Sequence, residues 1–164
     1  MNNLTYNIVE ARLQGFVNGV LYNEIAYSGG RAGSKTAGAA HPILSNNPFL
    51  THIKKDALGK DSPGGALPLG IYKLIPHESR TNWIRLIPAQ YNTMHNRDGF
   101  AIHGRGQRGS DGCIVPENFR VVLELLDAAK FRAKKGISPL ILEVIAVGDL
   151  DYFLNKMDRY ARTA

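Results

Sequence analysis

The chain has 164 residues, enough for one domain with a substantial core, and no window reaches the run of about 20 apolar residues that spans a bilayer. Its formal charge of +6 favours anionic partners, but the Lys and Arg residues are scattered. The tightest group, Lys130, Arg132, Lys134 and Lys135, falls near the end of a predicted helix, where the helix dipole favours cations, so it is read as a solvated terminus and not as a nucleic-acid patch.

In chain order, MNNLTYNIVEAR has no basic stretch leading into an apolar one. That predicts no signal peptide and a chain made in the cytoplasm, exported only by other machinery. Residues 4–28 read as strands. RLQGFV and VLYNEIAY flank Asn18-Gly19, the strongest short hairpin signal. From 29 to 65 the periodicity disappears into Gly, Ser, Asn and Pro, a loop too long for a simple connector. A core from 66 to 147 follows, beginning with the strands LPLGIYKLIP and TNWIRLIP. Pro68 and Gly70 read as a turn before the first of these, Tyr72 and Trp83 as strand packing, and His77 and His95 as surface or loop residues. GFAIHG and GCIVP are two short strands around a glycine-rich loop. A helix is predicted from about Pro116 to Gly136, with Phe119, Val122, Leu123 and Leu126 as its apolar stripe. SPLILEVIAVGD reads as a buried strand, and Asp149 as the cap of a last helix within 148–164. The expected fold class is a β-rich α+β single domain, a sandwich or barrel with one central and one short C-terminal helix.

The loop HGRGQRGSDGC carries the chemistry. Cys113 is the only cysteine, so no internal disulfide forms, and it lies ten residues after His103. A thiol becomes a nucleophile when a base or positive potential assists its ionisation. His103 supplies a base at the end of one strand and Cys113 opens the next, while Arg105 and Arg108 are expected to lower the thiol pKa. Ser110 and the flexible Gly109 and Gly112 offer groups for an oxyanion. A lone cysteine is also commonly an inert buried hydrophobe, and the residues alone leave both readings open. One Cys and five dispersed His give no zinc spacing, so no metal is expected, and GRGQRG does not run from a strand into a helix as a phosphate loop does. No cofactor is implied.

His-Gly, a spacer, then Ser-x-Gly-Cys resembles the signature of the L,D-transpeptidase (YkuD-like) catalytic domain. GGALPLGIYKL, NRDGFAIHG and GCIVPENF are similar to segments of the type VI secretion L,D-transpeptidase effectors, and the likeness spans most of residues 5–147. The resemblance implies a cysteine acyl-transfer enzyme on peptidoglycan stem peptides. Cys113 is its nucleophile, His103 its base and Ser110 its third catalytic residue, with Gly112 and Asp111 shaping the oxyanion site and Gly104 in the substrate groove. It also implies a toxin delivered by a secretion apparatus to the periplasm of a target bacterium, with a cognate immunity protein over the 103–113 loop.

The chain departs from that pattern at two positions. Asp111 and Val115 stand where housekeeping members carry the His before Gly-Cys and the Arg two residues after the Cys. Recognition of a substrate carboxylate is therefore expected of Arg97, Arg105 or Arg108. A papain-like peptidase fits less well, because in that type Cys precedes His and starts a helix. The alternative from another class is a basic binding module for an anionic polymer, with Cys113 inert.

Overall fold

A computed structural model describes residues 3–30, 42–58, 63–106 and 110–163. Eight strands form a closed barrel: β1 (Asn3–Asn7), β2 (Arg12–Val17), β3 (Val20–Ser28), β4 (Gly70–Pro76), β5 (Ile84–Pro88), β6 (Ala101–Ile102), β7 (Ile114–Pro116) and β8 (Leu140–Ile145). Their order around the barrel is β1-β2-β3-β7-β6-β5-β4-β8, with β8 closing on β1. Closure gives each strand a neighbour on both sides, although β3 meets β7 only through its last three residues. Among the described residues, only the β1–β8 and β6–β7 pairs are parallel. Two helices, α1 (Phe119–Lys135) and α2 (Leu150–Thr163), complete this β-rich α+β fold.

The β2–β3 hairpin turns at Asn18 and Gly19, whose φ values of 51° and 80° are the left-handed conformations that a two-residue turn of this kind demands. Strand alternation then decides the core. Leu4 and Tyr6, Tyr72 and Leu74, Ile84 and Leu86, and Leu140, Leu142 and Val144 occupy alternate positions and join one apolar cluster. Ile102 and Ile114, paired across the β6–β7 bridge, belong to the same cluster.

The helix α1 starts later than its sequence suggests. Pro116 is the last residue of β7, and Asn118 is the cap, its side chain accepting the Arg120 N–H at 3.1 Å. Gly136 ends the helix in the left-handed conformation, with φ of 66°. The expected apolar stripe is only half right. Val122 and Leu126 are buried, together with Val121, Leu125, Ala128 and Ala129, but Phe119 and Leu123 are 44% and 38% exposed. Phe119 instead lays its ring over Gly104, where a Cβ would stand 2.7 Å from the ring atoms. Asp149 caps α2 by accepting the Tyr152 N–H at 3.2 Å.

Much of the described part of 29–65 is packed against the barrel, with two short 3-10 helices, Pro42–Leu44 and Lys55–Leu58. Asn46 stitches it down. Its side chain donates to the Tyr6 hydroxyl (2.7 Å) and the Ile8 carbonyl (2.9 Å) and accepts the Ser28 N–H (3.0 Å). Among the described residues, no helix is long and apolar enough to cross a membrane.

Candidate active site

The β6–β7 bridge pairs Ile102 with Ile114, and the His103 N–H continues the ladder to the Ile114 carbonyl at 3.1 Å. His103 follows the bridged residue on one strand and Cys113 precedes it on the other. Because side chains alternate and Ile102 and Ile114 face the core, His103 and Cys113 share the opposite face on adjacent strands. Both line one open cleft of about 910 Å³, walled by the β4–β5 connection, residues 98–100, residues 103–106 and residues 110–113. His103 is 7% exposed and Cys113 8%.

The His103 ring is held on two sides. Its Nδ1 lies 2.7 Å from the Gly104 carbonyl, which can only accept, so Nδ1 carries the proton and Nε2 of the neutral ring keeps a free lone pair. The ring stacks on Trp83, centroids 4.1 Å apart and planes 13° from parallel. Burial pushes the His103 pKa below its ordinary value; the Gly104 hydrogen bond opposes this and the Arg80 charge adds to it. A neutral imidazole at pH 7 is the form that acts as a base.

Cys113 is reached by a built turn. The Ser110 hydroxyl donates to the Cys113 carbonyl (2.6 Å) and accepts the N–H groups of Gly112 (3.0 Å) and Gly29 (3.4 Å). Ser110 therefore positions the nucleophile's backbone and does not touch its thiol. The Gly112 N–H, expected to face an oxyanion, is committed to Ser110. Gly112 has φ of +127°, and a Cβ there would stand 2.5 Å from the Phe100 ring, so only glycine fits. Ser28, unremarked in the sequence, donates to the Gly112 carbonyl (2.8 Å) and accepts the Leu67 N–H (2.9 Å), tying three distant segments together.

Burial pushes the Cys113 thiol up to about 11; a backbone hydrogen bond with Ala101 and the Arg80 and Arg97 charges work against that rise, and Asp111 adds to it. Desolvation thus outweighs the lowering expected of nearby cations, and among the described residues the cations that act on the thiol are Arg80 and Arg97, not Arg105. Arg108 and Gly109 lie outside the described residues. Arg105 is exposed and lines the cleft.

Arg97 does not serve the cleft. It is 8% exposed, and its terminal nitrogens donate to four carbonyls: Ala66 (2.8 Å), Gly65 (2.7 Å), Asp111 (2.7 Å) and Thr51. With those donors committed, it clamps the loop ahead of β4 to the turn ahead of Cys113. The Asp111 carboxylate, by accepting the Gly64 N–H at 3.2 Å, adds to the same clamp.

Three cleft residues escaped the sequence reading as site residues: His77, Arg80 and Trp83. The His77 Nδ1 accepts the backbone N–H groups of Ser79 (3.1 Å) and Arg80 (3.0 Å), closing the turn that presents Arg80. The Arg80 guanidinium lies 4.4 Å from the Trp83 ring centroid. Nearby, Arg85 grips Glu78 and holds that carboxyl down at about 2. No local sequence signal marks these three, because the β4–β5 connection meets His103 only through the fold. Among the described residues, no group of His, Cys, Asp and Glu could hold a metal ion.

Comparison with known proteins gives no match: no protein-family model, no curated protein and no solved structure is significantly similar to this chain.

Proposed function

We propose that the chain is a cysteine acyl-transfer enzyme of the L,D-transpeptidase type, acting on peptidoglycan stem peptides as an L,D-carboxypeptidase or exchange enzyme. The observation that carries this reading is the shared face of His103 and Cys113 in one cleft, with the Gly104 carbonyl fixing the tautomer that frees Nε2. The closed barrel with two helices is compatible with the β-rich α+β class expected alongside this reading. A secreted antibacterial effector, working in the periplasm of a target cell and blocked by an immunity protein over the cleft, is the biological setting proposed with it.

A neutral imidazole and a neutral thiol lining one cleft make the first step general-base catalysis. His103 Nε2 takes the thiol proton as Sγ attacks the carbonyl between a diamino acid and the terminal D-alanine. The imidazolium then gives that proton to the departing amine as the C–N bond breaks, releasing D-alanine and leaving a thioester on Cys113. Water, a free D-amino acid or the amine of a second stem attacks the thioester, with His103 again as base. Cys113→Ser is expected to fold as the wild type does and to lose D-alanine release from purified tetrapeptide muropeptides by on the order of 10³-fold. Full release by that variant removes Cys113 from the reaction.

A second reading, a basic binding module with an inert Cys113, draws on the burial that raises the thiol. It predicts no D-alanine release by the wild type and retention on an anionic polymer that Cys113→Ser leaves unchanged.

A further inference from the structure

The cleft contains a cation held in place that, among the described residues, has no counter-ion. Of the arginines lining it, Arg85 is spent on Glu78, and Arg80 and Arg105 are both exposed, but among the described residues only Arg80 has a contact that holds it. Among the described residues, no carboxylate pairs with Arg80. Its backbone is nevertheless pinned by the His77 ring and its guanidinium by the Trp83 ring, the same ring on which the base His103 is stacked. A guanidinium already held on an aromatic ring loses less freedom on gripping a ligand than an unrestrained side chain does. Trp83 therefore ties a preorganised anion site to the catalytic base within one cleft.

We propose that Arg80 is the anchor for a substrate carboxylate lying next to the carbonyl that Cys113 attacks. On the reading given above, on which this assignment of the ligand rests, the carboxylate is that of the terminal D-alanine, three bonds from the attacked carbon. That makes the site selective for the last residue of a chain over an internal amide. A D-amino acid entering as acceptor presents its own carboxylate where the leaving one stood, so the same anchor serves exchange. Arg80 thus takes the part that the sequence reading gave to Arg97, Arg105 or Arg108.

Two measurements test this, one of them independent of turnover. Cys113 is alkylated with iodoacetate and with iodoacetamide, reagents of similar size that differ in carrying a carboxylate. The ratio of the two rates in the folded wild type is expected to exceed the ratio in the urea-unfolded chain, and to shrink with added salt. Arg80→Met is expected to lower the folded ratio about tenfold, Arg80→Lys to keep part of it, and Arg105→Met to leave it within about twofold. An unchanged ratio in Arg80→Met overturns the proposal. Second, D-alanine release is compared for a tetrapeptide muropeptide and its C-terminal amide. Arg80→Met is expected to raise KM for the acid about tenfold and to leave the amide unaffected; an equal loss on both overturns the anchor. If no form releases D-alanine while the alkylation ratio still depends on Arg80, the anion site stands and the proposed reaction falls. If release persists and neither the ratio nor KM responds to Arg80→Met, the reaction stands and the anchor falls.

Discussion

At the scale of single residues, the site is governed by desolvation more than by charge. His103 and Cys113 are both buried enough that their neutral forms prevail near pH 7, and the nearby arginines modify that result without reversing it. The two shifts have opposite consequences for stability. The His103 pKa is depressed in the fold, so below pH 6.5 the unfolded chain takes up a proton that the native protein resists. Stability therefore falls as pH drops from about 6.5 toward the folded value. The thiol is raised from 9.0 to about 11, so between those values the unfolded chain gives up a proton that the folded one keeps, and stability falls as pH rises. Two pKa units correspond to about 3 kcal/mol. Urea unfolding of wild type and Cys113→Ala at pH 8 and pH 11 is expected to show that difference as a larger alkaline loss in the wild type. Equal alkaline losses would show that the thiol titrates alike in both states. In catalysis the same pair predicts a kcat/KM that falls only below pH 6.5 and holds level through pH 9.

At the scale of elements, two connections hold the nucleophile, and both depend on contacts far apart in sequence. Arg97 gathers carbonyls from Thr51, Gly65, Ala66 and Asp111, and Ser28 bridges the Gly112 carbonyl and the Leu67 N–H. Arg97→Met strands those buried acceptors, and is expected to cost about 3 kcal/mol in urea unfolding, with activity lost through displacement of the 110–113 turn. Arg105→Met, at an exposed position, is expected to stay within about 0.5 kcal/mol. A small effect at Arg97 would contradict the clamp. This contrast also explains what was legible beforehand. The β2–β3 turn, the Gly136 stop and the Asp149 cap rest on local chemistry, and the sequence showed each in place. The His-to-Cys spacing likewise announced a pair on neighbouring strands. The fate of Arg97, the turn made by Ser110 and the Trp83 stack depend on which segments meet, and no periodicity encodes that. The α1 stripe failed for a related reason: Phe119 fits the helical period, but the bare face of Gly104 gives its ring a different partner.

At the scale of the whole molecule, closure of the barrel makes the site a property of both halves of the chain. Residues 66–147 carry His103, Cys113, Arg80 and Trp83, and read alone they suggest a self-sufficient core. The strand order denies them that. The β7 strand beside Cys113 takes its second partner from β3 through Ala26–Pro116, Tyr27–Val115 and Ser28–Ile114, and β8 is closed by β1. Removing the first 65 residues opens both edges, takes the Ser28 and Thr51 partners from the Gly112 turn and Arg97, and uncovers the core side chains that Leu4, Tyr6 and Leu13 cover. A chain limited to 66–147 is therefore expected to show no cooperative unfolding transition and no protected amides in β7. The two fragments 1–65 and 66–164, mixed, are expected to recover a cooperative transition, because the barrel supplies the pairing without requiring the 65–66 peptide bond. A folded 66–147 fragment would mean that β6 and β7 hold the Cys113 turn without β3, and that closure is incidental to the site.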